Sequence, residues 1–421
     1  MNKNKQVTLA IIGAGARGHN YASYAKHFPE RLKIVAVADP DDFRRNRMAG
    51  EYDIPPERCF KNYEEFCSHP KMCDAVAVCT QDHLHEAPAI ACAKLKYHIL
   101  LEKPMAPTPE ACKRIAAAVK EAGVMMSVCH VLRYTRFSAA LKEILKSGEI
   151  GEIISVQHLE PVGYWHQAHS YVRGNWRNEK ESSSMLLAKS CHDIDWLQDI
   201  IGKKCRMIQS FGTLRHFRKS EQPAGASDRC CSCPHEIESC CPYSAYKIYF
   251  RDRLIKGNTG WPTNVLTPDP TPESLAKALN DGPYGRCVYA CDNDVVDHQV
   301  VNMSFEDGTS ASMTMTAFTF HGARKTRIFG TLGEIDTDSK IITIRRFLDN
   351  SSRIVDVNVA NDGGILSGHG GGDFGLMDSF ISALAGHDAS RNLSGIDETL
   401  ASHLMVFAAE ESRKNSKVVF L

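Results

Sequence analysis

Between Leu186 and Leu197 the chain reads LLAKSCHDIDWL, and Lys189, His192, Asp193 and Asp195 interrupt an otherwise apolar run. Histidine takes and returns protons near neutral pH, so His192 is the natural candidate for a base acting on a hydroxyl. Helical spacing over 184–201 gathers Leu187, Cys191, Ile194, Leu197 or Gln198, and Ile201 on one face. Lys189, His192, Asp195, Trp196 and Asp199 fall on the other. The expectation is a helix with one packed face and one face open to a cleft, Lys189 and Asp195 flanking His192 by one turn. A second proton-handling group is Lys103 in HILLEKP, which follows an apolar run expected to be a buried strand. A lysine there either polarises a hydroxyl and moves its proton, or is a surface residue paired with Glu102.

A third polar stretch, EPVGYWHQAHSYVRGNWRN, covers Glu160 to Asn178. Its aromatic faces suit the C–H faces of sugars, and its histidines and arginine suit hydroxyl groups. Trp165, His166, His169, Arg173 and Trp176 are therefore candidate substrate contacts, in a run read as too polar for a core; the alternative is an exposed loop or subunit contact. Cys230, Cys233, Cys240 and Cys241 lie in DRCCSCPHEIESCCPYSAYK. Four thiolates can hold a tetrahedral zinc, so a structural metal stands beside buried thiols and disulfides as a reading of this cluster. His298 follows Asp292, Asp294 and Asp297, and these line a pocket or form a turn and strand end.

Taking hydrogen from a secondary alcohol needs a hydride acceptor as well as a base. VTLAIIGAGARG supplies a place for one. Val7 to Ile12 reads as a strand buried on both faces. Gly13, Gly15 and Gly18 then spell G-x-G-x-x-G, a helix runs to about Phe28, and a second strand, Lys33 to Ala38, ends at Asp39, 24 residues after Gly15. Gly13 makes the tight turn, Gly15 admits a pyrophosphate and Gly18 lets helix and strand pack. Ala16 and Arg17 open the helix whose N-terminus favours phosphate. Asp39 accepts ribose hydroxyls, which favours NAD; Arg44 and Arg45 keep NADP open.

Strands and helices continue to alternate through Asp74–Thr80, His85–Leu95, His98–Glu102, Pro109–Gly123 and Val124–His130. This pattern predicts an α/β doubly wound parallel sheet over residues 1–130. Ligands of such sheets bind beyond the strands' carboxyl ends, which selects Thr80, Gln81, His83, His85, Glu102 and Lys103 as the cofactor rim. Residues 131–421 change character, with strand runs joined by tight turns such as Asp307-Gly308. They predict an α+β domain with a large, mainly antiparallel open sheet and a cysteine-rich insertion at about 217–286. An exposed sheet face points to a homodimer or homotetramer.

Composition narrows the partners. Lys plus Arg and Asp plus Glu are each 50 in 421 residues, so no basic excess exists for a nucleic acid. No apolar run reaches transmembrane length, and the six-residue apolar start reads as a strand rather than a leader, so a cytoplasmic protein without membrane partners is expected.

The glycine loop, CTQDHLHEAPAI and Glu102-Lys103-Pro104 together resemble the Gfo/Idh/MocA family of nicotinamide-dependent sugar and cyclitol oxidoreductases. The stretch HVLRYTRFSAALKEILKSGEIGEIISVQH is similar to that family's crossover into its second domain, and Arg133 and Tyr134 within it are candidate substrate contacts. The resemblance implies that Lys103 lies by the nicotinamide and substrate hydroxyl, that the next peptide bond is often cis, and that no catalytic metal is needed. It also implies a D-x-x-x-H helix; His192 matches, but Ala188 stands where the aspartate belongs. The function so implied is hydride transfer between NAD and a secondary hydroxyl of a sugar, cyclitol or glycoside. Two rivals stand beside it. One is a redox-neutral glycosidase that oxidises, eliminates, hydrates and reduces; the other is a non-catalytic NAD-binding sensor, which Ala188 favours.

Overall fold

The structure is a computed structural model describing residues 6–320, 322–358 and 364–421. The first sheet contains β1 (Val7–Ile12), β2 (Leu32–Ala38), β3 (Cys59–Phe60), β4 (Ala75–Val78), β5 (His98–Leu101) and β6 (Met126–Val128). They lie side by side as β3-β2-β1-β4-β5-β6, all parallel. Helices cover both faces, which is why β1 and β4 are apolar at successive positions rather than alternate ones. The helix Pro109–Ala122 shows how local sequence sets the boundaries. Thr108 accepts the Ala111 N–H at 3.2 Å, and Gly123 closes the helix at φ 63°. The polar helix Asp42–Glu51 buries only Arg45 and Met48, and it was not legible as a helix by apolar period.

The second sheet contains β7 (Ile153–Pro161), β8 (Cys205–Thr213), β9 (His298–Phe305), β10 (Ser310–Thr316), β11 (Lys325–Gly330), β12 (Gly333–Thr337), β13 (Ile341–Arg346), β14 (Ser352–Asp356) and β15 (Val419–Phe420). Its order is β14-β13-β12-β11-β7-β10-β9-β8-β15. Every pair is antiparallel except β7 with β10. Asp307-Gly308 turns the β9–β10 hairpin, with Gly308 at φ 90°. One face carries the helices Met185–Ile201 and Ile396–Asn415 over a core of Ile, Val, Met and Trp side chains. The other face stays open and exposes Ile154, Phe211 and Ile354. Residues between β8 and β9 form a separate cluster around Phe217, Tyr243, Tyr249, Leu275 and Val288. Among the described residues no helix is long and apolar enough to cross a membrane.

The helix Met185–Ile201 departs from the two-faced expectation. Ser184 caps it through the Leu187 N–H and Gly202 ends it at φ 68°. Within it, however, only Lys189, Gln198 and Asp199 escape full burial. Its polar stripe is buried against other polar groups, and the energy of that face lies in ion pairs and hydrogen bonds.

Candidate active site

At the carboxyl end of β1 the glycines have distinct physical roles. Gly13 has φ +95°, and a Cβ there would lie 2.7 Å from the Cys79 carbonyl. A Cβ on Gly18 would lie 2.1 Å from the Gly13 oxygen, whereas one on Gly15 would meet nothing within 4 Å. Two glycines are required for packing, and the third leaves room for a ligand against the backbone. Asp39 is 4% exposed; its Oδ2 accepts the Ala14 N–H at 2.6 Å and its Oδ1 accepts the Asp41 N–H at 2.8 Å. Each carboxylate oxygen retains a lone pair for a hydroxyl. The Thr80 hydroxyl, beside Gly13, is buried without a partner among the described residues. Gly15's open space, the free N–H groups of the helix starting at Ala16 and this unpartnered hydroxyl fit a dinucleotide. Gln81 and His83 are exposed on the same rim.

Arg17 and Glu102 lock the loop to the end of β5. Arg17 Nε donates to Glu102 Oε1 and Nη2 to Asp373 Oδ1, both at 2.7 Å. Tyr21 donates to Glu102 at 2.6 Å, and Glu102 Oε2 accepts the Lys103 N–H at 2.8 Å. Burial pushes the Glu102 carboxyl up, but Arg17, Lys103 and Tyr21 together hold it below its ordinary value. The helix Gly372–Gly386 starts without a side-chain cap, and Asp373 binds Arg17, Asn20 and His369. His85 also departs from a cofactor role. It is fully buried with Nδ1 2.8 Å from the Pro104 oxygen and Nε2 3.1 Å from the Thr80 oxygen, a strut between two loops.

The Lys103–Pro104 bond is cis, and Lys103 Nζ donates to the Ala188 carbonyl at 2.6 Å. The lysine thus reaches the turn of the helix from which the D-x-x-x-H aspartate is missing. His192 lies one turn on, 7% exposed, with Nδ1 buried and unpartnered. Burial, then the charges of Lys103, His130, His369 and Arg324, hold it far below the ordinary histidine value, so the ring is neutral. The His369 ring lies 6.4 Å from it. Lys189 pairs with Glu160 at 2.9 Å, and Glu160 also takes Arg324 at 2.9 Å. Arg324 continues to Asp193, which accepts from His158 at 2.9 Å. His166 faces the same space: burial, then Lys189, His169 and Lys103, lower its proton affinity. Trp165 and Trp261 pack on it at ring distances of 5.6 and 5.0 Å. A cavity of ≈ 240 Å³ bounded by Phe137, His158, Trp196, Arg324 and His369 adjoins the network.

Several candidates serve the framework instead. Asp195 is fully buried and takes both Arg133 Nε and Nη2, at 2.7 and 2.8 Å, with Ser402 at 2.8 Å. Arg133 is therefore committed to an ion pair and not to a substrate. Tyr134 is likewise tied, to Ser394 at 2.8 Å. The stretch read as too polar for a core is buried throughout Gln167–Arg173, a wide π-helical turn. His169 bonds Tyr249 at 2.8 Å and stacks on Tyr284 at 4.9 Å. Arg173 donates to the carbonyls of Arg286 and Tyr243 at 2.7 and 2.8 Å. Both support the β8–β9 insertion, and neither opens to the cleft. Trp176 is 38% exposed, and His298 is pinned to Asp297 at 2.8 Å.

The zinc reading is also corrected. Among the described residues no group of three or more His, Cys, Asp or Glu side chains is arranged to hold a metal. Cys230 Sγ accepts from the Ala245 N–H at 3.4 Å and from Arg173 at 3.6 Å, Cys240 is exposed, and Cys233 and Cys241 are half-buried free thiols.

Comparison with known proteins gives this geometry its context. Residues 7–130 match an oxidoreductase family with an NAD-binding Rossmann fold, and residues 142–419 match the same family's C-terminal alpha/beta domain. The chain belongs to the Gfo/Idh/MocA oxidoreductase family. It is 29% identical over 207 residues to 2,7-anhydro-N-acetylneuraminate hydratase of Escherichia coli (strain K12), a match covering 49% of this chain and 52% of that protein. It is 26% identical over 208 residues to myo-inositol 2-dehydrogenase of Thermotoga maritima, covering 49% and 58%. The chain thus spans about half the length of these curated relatives. A levoglucosan dehydrogenase solved with NADH and L-sorbose superposes with a TM-score of 0.71 at 18% identity, covering 99% of both chains. That likeness shows the fold. Glu160, Asp193 and Arg324, which hold Lys189 and the floor of the cleft, were not among the sequence candidates. Glu160 falls in step with Val156 and His158 on the buried face of β7, a polar residue where a buried pair would need one.

Proposed function

We propose that the protein is an NAD-dependent oxidoreductase that moves a hydride between NAD and a secondary hydroxyl of a sugar, cyclitol or glycoside. The observation that carries this reading is the meeting of Lys103 with the turn that presents neutral His192, at the end of the parallel sheet and beside the glycine loop. Bound NAD supplies the hydride acceptor. The Gly13–Gly18 backbone cradles its phosphates and Asp39 accepts from its ribose, a carboxylate that would repel a 2′-phosphate. Lys103 donates to the substrate oxygen and steadies its developing charge, while His192 takes the hydroxyl proton in its neutral form. Lys189, fixed by Glu160, and His166 hold neighbouring hydroxyls, and Trp165 offers a face for the ring.

A second reading has its own support in the relative named a hydratase. An oxidised carbon acidifies the adjacent C–H, so that a leaving group departs and water adds before reduction, with no net redox. One experiment separates the two. NAD(H) released by denaturing the purified protein is quantified after extensive dialysis. Near-stoichiometric retained cofactor, with cleavage of a glycoside, supports the redox-neutral cycle; reversible binding, with NADH formed from a free sugar or cyclitol, supports the dehydrogenase. Lys103→Met should keep NAD and lose turnover in either case. Absence of any NAD(H) binding overturns both readings, and unchanged turnover in the Lys103 variant overturns the assignment of the site.

A further inference from the structure

His130 lies two residues beyond β6 and takes no direct part in the proposed chemistry above. Its side chain is 0% exposed, yet among the described residues neither ring nitrogen has a hydrogen-bond partner. A buried polar group left unmatched calls for an explanation, because an apolar side chain would fill the same space without loss. The ring meets His192 edge-on at 5.6 Å and His403 at 5.4 Å. Its Nδ1 lies 3.8 Å from Asp195 Oδ2. Among the described residues His192 contributes a third unpartnered atom, Nδ1, buried within the same cluster. Asp195 is held firmly by Arg133 and Ser402 and cannot swing toward His192 itself. His403 is excluded as a receiver, since Nε2 accepts the Met105 N–H at 2.9 Å and Nδ1 meets the Thr399 carbonyl at 2.9 Å.

We propose that His130 joins His192 to Asp195, and that this buried relay takes the place of the helix carboxylate missing at Ala188. The inference rests on the reading of His192 as the base. When the substrate O–H bond breaks, its proton goes to Nε2 of His192. The proton on Nδ1 of His192 passes to the ring nitrogen of His130 that does not face Asp195, the two rings meeting edge-on at 5.6 Å. The resulting imidazolium is stabilised by the Asp195 carboxylate. Electrons take no part in the relay: the C–H pair leaves with the hydride, and only a proton crosses. His130 and Asp195 are thus positioning residues that fix the tautomer of His192 and lend it basicity. The charges facing His130 are Asp195 and Glu102, which favour its protonation, and Arg133 and Lys103, which oppose it. Burial outweighs these and lowers its value to about 4, so the ring waits neutral.

The test is nitrogen-15 NMR of histidine-labelled full-length protein with added NAD. The expected spectrum shows His192 as a single Nδ1–H tautomer and His130 in the complementary form. In His130→Phe, His192 should lose its single tautomer. Turnover of whichever substrate the screen has found should fall about 10- to 100-fold in kcat with little change in KM. Adding Ala188→Asp to that variant rebuilds a D-x-x-x-H helix and should restore both. A folded His130→Phe protein with an unchanged His192 tautomer and pH profile overturns the relay. Should that variant not fold, the wild-type spectrum decides, and mixed or unrelated tautomers of the two rings overturn it. A protein that turns over no carbohydrate refutes the proposed function while leaving the spectral result to judge the relay.

Discussion

Replacing Arg17 by Met tests how the glycine loop is held to the catalytic end of β5. Met keeps the stem and removes the charge shared by Glu102 and Asp373, whose side chains are 7% and 3% exposed. Stripping one partner from a buried pair costs about 3–5 kcal/mol. The Arg17 side chain is 32% exposed, so water screens part of the interaction and about 3 kcal/mol is the working figure. For a domain of this size each kcal/mol lowers Tm by about 2–4 °C, so the melting transition without NAD should drop by roughly 6–12 °C. Burial raises the Asp373 carboxyl, and His369 and Arg17 together more than reverse that. Adding Glu102→Gln and Asp373→Asn to the Arg17 variant should therefore recover part of the loss, because no buried charge is left unpaired. Calorimetry of the three proteins measures this. An unchanged Tm in Arg17→Met, or a triple variant no more stable than Arg17→Met, refutes the reasoning.

Two further outcomes follow from the same geometry. Gly18→Ala would place a Cβ 2.1 Å from the Gly13 oxygen, so the loop must shift, and NAD affinity should fall by at least 100-fold, about 3 kcal/mol, in equilibrium dialysis; unaltered binding would remove the glycine loop from the cofactor site. Stability should also fall on mild acidification, because burial lowers His130 to about 4 and His169 and His403 to about 3 from an unfolded value of 6.5. Below pH 6.5 the unfolded chain binds protons at these rings and the folded chain does not, so each ring removes up to about 1.4 kcal/mol per pH unit until its folded value is reached. Urea midpoints that stay flat between about pH 6.5 and 5 would contradict that burial.

What could be read from sequence was whatever depended on neighbours along the chain. Gly13, Gly15, Gly18 and Asp39 act within one βαβ unit, so spacing alone exposed them, and Gly123 and Asp307-Gly308 marked real ends and turns. Arg133, Tyr134, His169 and Arg173 were misplaced because a buried polar side chain looks the same in sequence as an exposed one. The partner of Arg133 is Asp195, and that of Tyr134 is Ser394; neither is near in sequence. Asp195 matched helical spacing to His192, but Arg133 claims both its oxygens. Glu160 and Arg324 meet only after β7 and the segment before β11 are brought together, and no local period announces that.

The segment from Asn392 to Ala409 has a consequence for how the molecule comes into being. Asn392 and Ser394 bond the carbonyls of Met126 and Val128 on the outer edge of the first sheet, and Phe407 packs against that sheet's core. Met405, Val406 and Ala409 of the same helix belong to the core of the second sheet. A nascent chain leaving the ribosome would hold a nearly complete nucleotide-binding lobe with one strand edge still bare. It could not close that edge until Asn392, 266 residues beyond Met126, had emerged. During translation the unpaired β6 edge is where a chaperone would bind or a neighbouring chain would misassemble.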